Sequence, residues 1–275
     1  MTSLPFRIGA AALACAAAAA APAQVADSSD RLQQVSTRGA LLFAYDSAAW
    51  LGTDDMLKRV PDAKTRIAGW IVDGPADRAR IIFYDREPTP RAVYVAQMSG
   101  GKLVDPMLPT GDAALLSTDQ LAMIAARTAA RAALASARIT SCTTRFNTVV
   151  LPPDEPGGPT RVYFLSARTA ADKVVIGGHY RVDVDTAGRA SVPFAFSKGC
   201  LTQDRPPKDA KSPVLFATTL TDTIPNETHV FTATSYGLPL IVGVPGPDTA
   251  MTMYAALPGR PVRRIEIPAA KGTAR

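Results

Sequence analysis

The chain has 275 residues, 47% of them hydrophobic and 20% charged, with a net charge of +6. That balance excludes an intrinsically disordered chain, and the length suits one large domain or two small ones. The basic excess is interspersed with acidic residues and forms no Lys/Arg block, which argues against nucleic-acid binding. It leaves a mild preference for anionic partners, such as an envelope component or another envelope protein.

Residues 1–23 read as a cleavable secretory signal peptide. Arg7 supplies the basic start, residues 8–21 the apolar middle, and Ala21-Pro22-Ala23 the small residues before a cut after Ala23. The apolar run is shorter than the roughly 20 residues a spanning helix needs. No later run is both long and uncharged, so no transmembrane segment is expected. Cys15 has Ala12, not Leu, three residues upstream. A discarded leader cysteine is therefore expected in place of lipid attachment. Cys142 and Cys200 remain as an even pair, and in a periplasmic or secreted setting they are expected to form a disulfide.

In chain order, residues 27–37 suggest a short helix or a loosely packed arm anchored by Leu32 and Val35. Residues 40–45 form an apolar run of strand character. Residues 47–60 carry Trp50, Leu51 and Leu57 near helical spacing, ended by Pro61. Four short runs follow, at 65–72, 79–84, 92–98 and 102–104. Asp73-Gly74-Pro75, Pro88-Thr89-Pro90 and Gly100-Gly101 separate them, which predicts a meander with a tight hairpin at the Gly-Gly pair. Ser117 and Gln120 have capping-box spacing and open a helix over about 117–137. Its expected apolar stripe is Leu121, Ile124, Ala125, Thr128, Ala129 and Ala132, with Asp119, Arg127 and Arg131 off it. An alanine-rich stripe lets a helix lie close against a sheet.

Beyond Cys142 the predicted strands are 146–151, 161–166, 174–176, 179–185, 190–196, 214–219, 227–234, 238–244 and 251–255. Residues 203–213 read as a loop and 269–275 as a frayed tail. The whole reads as an α+β fold: antiparallel sheets, one long packing helix and a disulfide-linked, β-rich C-terminal part. Residues 24–110 and 111–268 form either two parts or one continuous domain.

Chemistry has few places to reside. The two histidines are His179 and His229. On a strand, His179, Arg181, Asp183 and Asp185 share one face, and Tyr180, Val182 and Val184 the other. That polar face is either a solvent face whose charges pair across strands, or a groove where Arg181 binds an anion and His179 serves as acid or base. Glu227 and His229 are two apart and on a strand would point the same way. They form either half of a catalytic dyad or an ordinary edge pair. Arg145 and Asn147 alternate on a strand beside the expected disulfide, as binding candidates or rim residues. No nucleophile elbow, phosphate-binding loop or zinc spacing is present, so no metal and no cofactor is expected. Asn226-Glu227-Thr228 matches a glycosylation sequon by chance.

Three segments carry a resemblance: residues 145–152, residues 177–182 and Glu227-Thr228-His229-Val230-Phe231, with Cys142 and Cys200 among them. Over residues 40–245 the chain resembles a group of exported proteobacterial proteins to which no activity is attached. The resemblance implies export, the cysteine pair and one continuous unit, and no substrate or catalytic residue. The favoured reading is an exported protein that works by binding or assembly. The alternative is a hydrolase of envelope material in which His179, His229, Glu227 and Arg181 converge in one cleft.

Overall fold

A computed structural model describes residues 28–139, 141–207, 209–246 and 250–266. The expected leader with its cut after Ala23, and the tail from 269, lie outside the described residues. The fold is α+β, with helices packed on several antiparallel sheets.

The first element departs from expectation. The helical readings at 27–37 and 47–60 are parts of one element, and the strand expected at 40–45 between them is not formed. One continuous helix, α1, runs over Ser28–Arg59. The apolar run at 40–45 resembled a strand because this helix is covered on more than one side. Leu42, Tyr45, Ala48 and Ala49 are buried in a core cluster, while Leu41, Phe43 and Ala44 pack partly against it. Periodicity cannot separate a short buried strand from a buried helix turn. Gly39 lies mid-helix for a steric reason: a Cβ there would come within 2.4 Å of Val230 Cβ.

A single turn, α2 (Ala63–Arg66), leads into the expected meander of β1 (Ile67–Asp73), β2 (Arg80–Asp85), β3 (Ala92–Ser99) and β4 (Lys102–Met107). They form one antiparallel sheet in sequence order. Gly100 and Gly101 both have positive φ, 55° and 74°, as a tight hairpin turn requires.

The capping box is formed: the Gln120 N–H donates to Ser117 Oγ, and the Ser117 N–H donates to Gln120 Oε1. It opens α3 (Thr118–Ser136). The buried face differs from the expected stripe. It comprises Gln120, Met123, Ile124, Ala126, Arg127 and Ala130, whereas Ala125, Thr128 and Ala132 are exposed. With alanine on every side, composition gave no contrast from which to place the face.

α3 covers one face of a second sheet, ordered β5 (Phe146–Leu151), β6 (Thr160–Ser166), β8 (Tyr180–Val184) and β9 (Phe194–Ala195). Val150, Val162, Phe164, Tyr180 and Val182 form a core with Met123, Ile124 and Ala130, joined by Ile71 and Ile82 of the first sheet. On the other face, Val149, Leu151, Tyr163 and Leu165 share a core with Leu42 and Tyr45 of α1 and Phe231. The short pair β7 (Lys173–Val175) and β10 (Thr202–Asp204) stands apart.

A third sheet has the order β11 (Leu215–Thr218), β12 (Leu240–Pro245), β13 (Met251–Ala256) and β14 (Arg263–Arg264). Its β11–β12 pair is parallel, against the expectation of antiparallel pairing throughout. The cause lies between them: residues 227–234 are not a strand but the start of helix α4 (Glu227–Tyr236). Parallel neighbours need such a crossover. The β-branched residues Thr228, Val230, Thr232 and Thr234 favour a strand locally. Burial on nearly every side, the Asn226 N-cap and the left-handed C-cap at Gly237 override that preference.

Cys142 and Cys200 are disulfide-bonded, as expected, with their Cα atoms 5.4 Å apart. The bridge closes a loop with a sequence separation of 58 residues. Replacing both cysteines with serine is expected to lower the unfolding free energy by about 4 kcal/mol in a urea titration. A loss below about 1 kcal/mol would mean that other contacts already hold the two segments together.

Candidate functional site

The polar face expected on β8 runs from buried to exposed: His179 is buried, Arg181 and Asp183 are half-buried, and Asp185 lies at the exposed end, where it pairs with Arg189. Arg161 and Tyr163 of β6 lie opposite Asp183 and Arg181, and Tyr163 and Leu165 share a core with residues of α1 and with Phe231 of α4. Glu227, at the first turn of α4, is 3% exposed and Tyr163 is fully buried. Glu227 Oε1 accepts a hydrogen bond from the Tyr163 hydroxyl at 2.6 Å and another from Arg181 Nη1 at 3.2 Å. Burial, then the Glu227 charge, pushes the Tyr163 phenol well above its usual range, so it remains a donor. Arg181 also pairs with Asp183 at 2.9 Å and lies over the rings of Phe194 and Phe196. Phe196 in turn stacks on Tyr163.

A second ionic group adjoins the first. Asp154 bridges Arg38 of α1 at 2.6 Å and Arg161 of β6 at 2.8 Å. Burial raises the Asp154 carboxyl, but the two guanidiniums outweigh it and hold it below the usual carboxylate range.

The two histidines lie near this network and do not join it through Glu227. His229 is the third residue of α4, and its Nδ1 accepts the Asn226 N–H at 3.1 Å, completing the helix cap. Glu227 is committed to Tyr163 and Arg181, so the strand dyad foreseen for Glu227 and His229 does not form. His179 Nδ1 accepts the Ser166 N–H at 3.0 Å. His179 meets Phe231 edge-on, with ring centroids 6.2 Å apart. Accepting at Nδ1 places the proton of each neutral ring on Nε2. Burial drives His179 down to about 3, with a further push from the His229 charge, and drives His229 down to about 4. Both imidazoles are therefore neutral at physiological pH. His179 Nε2 has no hydrogen-bond partner among the described residues. The disulfide stands next to this cluster: a Cβ on Gly178 would sit 2.4 Å from Cys142 Sγ.

Arg145 is exposed ahead of β5. Asn147 is exposed on β5 and hydrogen-bonds Asp46 of α1, whose carboxyl burial pushes up to about 6 against that bond. Asp46 carries no signal of its own in the sequence, because it falls between the expected strand at 40–45 and the expected helix at 47–60. Among the described residues no group of three or more His, Cys, Asp or Glu is placed to hold a metal ion.

A wide concavity lies elsewhere. A groove of about 1040 Å³ runs along α1. Gln33, Thr37, Ala40, Ala44, Ser47 and Leu51 mark its floor at helical spacing, over roughly 27 Å of helix at 1.5 Å per residue. Phe43, Trp50, Met98 and Val230 add apolar lining, and Pro75, Asp77 and the Gly100–Gly101 turn form part of its wall. Gly259, Arg260 and Pro261 also line it. Exposed Arg263 and Arg264 follow on β14. Neither histidine nor Glu227 lines this groove. It escaped the sequence reading because its walls come from four distant segments.

No family model, no curated protein and no solved structure matches the chain. Among the described residues no helix is long and apolar enough to cross a membrane.

Proposed function

We propose that this is an exported, non-enzymatic binding protein whose groove along α1 takes the apolar tail of a single-chain anionic amphiphile, with Arg260 at the head-group end. The groove carries this reading. Its volume and apolar lining with a few polar groups have the character of a small-molecule site. Arg260 provides the charge complementarity that favours an anionic head over a neutral one. Export to the periplasm or beyond is supported by the leader at residues 1–23 and is consistent with the disulfide. The hydrolase reading has less support. His179 and His229 are 2% and 5% exposed, each Nδ1 is occupied by a backbone N–H, and Glu227 serves Tyr163 and Arg181. A general acid or base must reach its substrate.

The test is displacement of a fluorescent naphthylamine probe by palmitate, using the chain from Gln24 onward. Saturable probe binding is expected. Ala44→Trp, which fills the groove floor, should weaken binding about tenfold or more, equivalent to roughly 1.4 kcal/mol. Arg260→Glu should weaken palmitate while leaving hexadecanol unchanged. Absence of probe binding, or binding indifferent to Ala44→Trp, would overturn the proposal.

A further inference from the structure

A second cavity shares no lining residue with the groove. It has a volume of about 330 Å³ and is bordered by Tyr84, Arg86, Arg127, Thr128 and Arg131. Its inner wall is an arginine buried where the rest of the α3 face is largely apolar. Arg127 is 5% exposed. Among the described residues no carboxylate forms an ion pair with it. Its guanidinium lies 4.6 Å over the Trp70 ring, and its Nη1 donates to the Tyr84 hydroxyl at a long 3.3 Å. Its Nε has no partner among the described residues. A buried cation is ordinarily matched by a counter-charge, since desolvation is otherwise uncompensated.

The backbone is shaped around this guanidinium. The β1–β2 register shifts between Ile67 and Gly69. A Cβ at Gly69 would fall 2.4 Å from Arg127 Nη1 and 2.6 Å from the Tyr84 hydroxyl, so a larger residue would displace both. Arg131 lies one turn further along α3, a spacing at which like charges repel. Burial lowers the Arg127 guanidinium below its usual range, with Tyr84 opposing and Arg131 adding to the effect. Arg86 completes the ring, its Nε donating to Thr65 O. Two acids also border the cavity, Asp85 and Glu87. One Asp85 oxygen accepts the Arg91 and Glu87 N–H groups, and Glu87 is exposed. Neither is ion-paired to the three arginines.

We propose that this cavity binds a small oxyanion, the phosphate or carboxylate group of a small solute, held by Arg127 from within and by Arg131 at the rim. Planar guanidinium groups suit such oxygens because each can donate two parallel hydrogen bonds. A bound anion supplies the missing counter-charge and relieves the repulsion between Arg127 and Arg131.

Trp70, stacked on Arg127, provides the readout. In a Trp50→Phe background Trp70 is the remaining tryptophan. Inorganic phosphate and succinate are titrated separately at constant ionic strength set with sodium chloride. A saturable change in Trp70 emission is expected for at least one, with a Kd below about 1 mM, and the ion that binds more tightly identifies the oxyanion class. Arg131→Ala, at an exposed position, should keep the fold and weaken binding about threefold to tenfold; Arg127→Met should abolish it. If Arg127→Met does not fold, Arg131→Ala alone decides. A response to neither ion, or one unchanged by Arg131→Ala, would overturn the site.

Discussion

Between pH 6 and pH 4 the unfolding free energy is expected to fall by on the order of 1 kcal/mol per pH unit, and more steeply in Asp46→Asn. The slope comes from three enclosed groups. His179 and His229 sit at about 3 and about 4, below their ordinary 6.5. As pH falls below 6.5, the unfolded chain takes up two protons that the folded chain refuses, and stability is lost. Asp46 acts in the opposite sense. Its carboxyl, pushed from 3.8 up to about 6, holds a proton in the folded state that the unfolded state has released. It therefore adds stability as pH falls through that window and offsets one of the two imidazoles. Asp154 and Asp185, held below the usual range, lose their contribution only below the unfolded carboxylate value. Urea titrations at half-unit steps measure the slope. His229→Gln should flatten it. A slope unchanged in Asp46→Asn, or stability that rises toward pH 4, would show that these groups are not enclosed as described.

Removing the Glu227 carboxylate is expected to cost about 3 kcal/mol, the low end of the range for breaking a buried pair, because Arg181 keeps Asp183. In Glu227→Ala the Tyr163 hydroxyl loses its acceptor at 2.6 Å and Arg181 loses one of its two carboxylates. Glu227→Gln keeps an acceptor for Tyr163 and should cost less. If the loss arises from stranding Arg181, then Glu227→Ala combined with Arg181→Met should be less destabilised than the two single costs summed. Equilibrium denaturation measures all three. A cost below about 1 kcal/mol for Glu227→Ala would mean that water replaces the carboxylate and that the cluster is open.

Both predictions concern residues visible in the sequence whose surroundings were not. His179, Arg181 and Asp183 were placed on one face of a strand by alternation alone. What lies against that face depends on the middle of α1 and on α4, where the sequence suggests strands. In α1, apolar residues on several sides mask the helical period around residues 40–45. In α4, threonine and valine argued for a strand, and once that helix was lost the parallel β11–β12 pair could not be foreseen. Local chemistry was legible where it acts locally: the Ser117–Gln120 cap, the Gly100–Gly101 turn and the cysteine pair. Arg127 was set outside the apolar stripe because charge ordinarily points to water. Its burial follows from Gly69, some 60 residues earlier in the chain, and no periodicity within α3 reports that.

The groove along α1 is the centre of the functional account, and Trp50 tests it most directly. Trp50 lines the groove and is 67% exposed, whereas Trp70 lies outside its lining. Titrating the protein from Gln24 onward with a fatty acid brominated along its chain should quench Trp50 saturably at one equivalent. Trp50→Phe should lose that quenching, and Ala44→Trp should shift the curve to higher concentration. Quenching that never saturates, or that is equal in the protein and in Trp50→Phe, would contradict the assignment of the groove as the binding site.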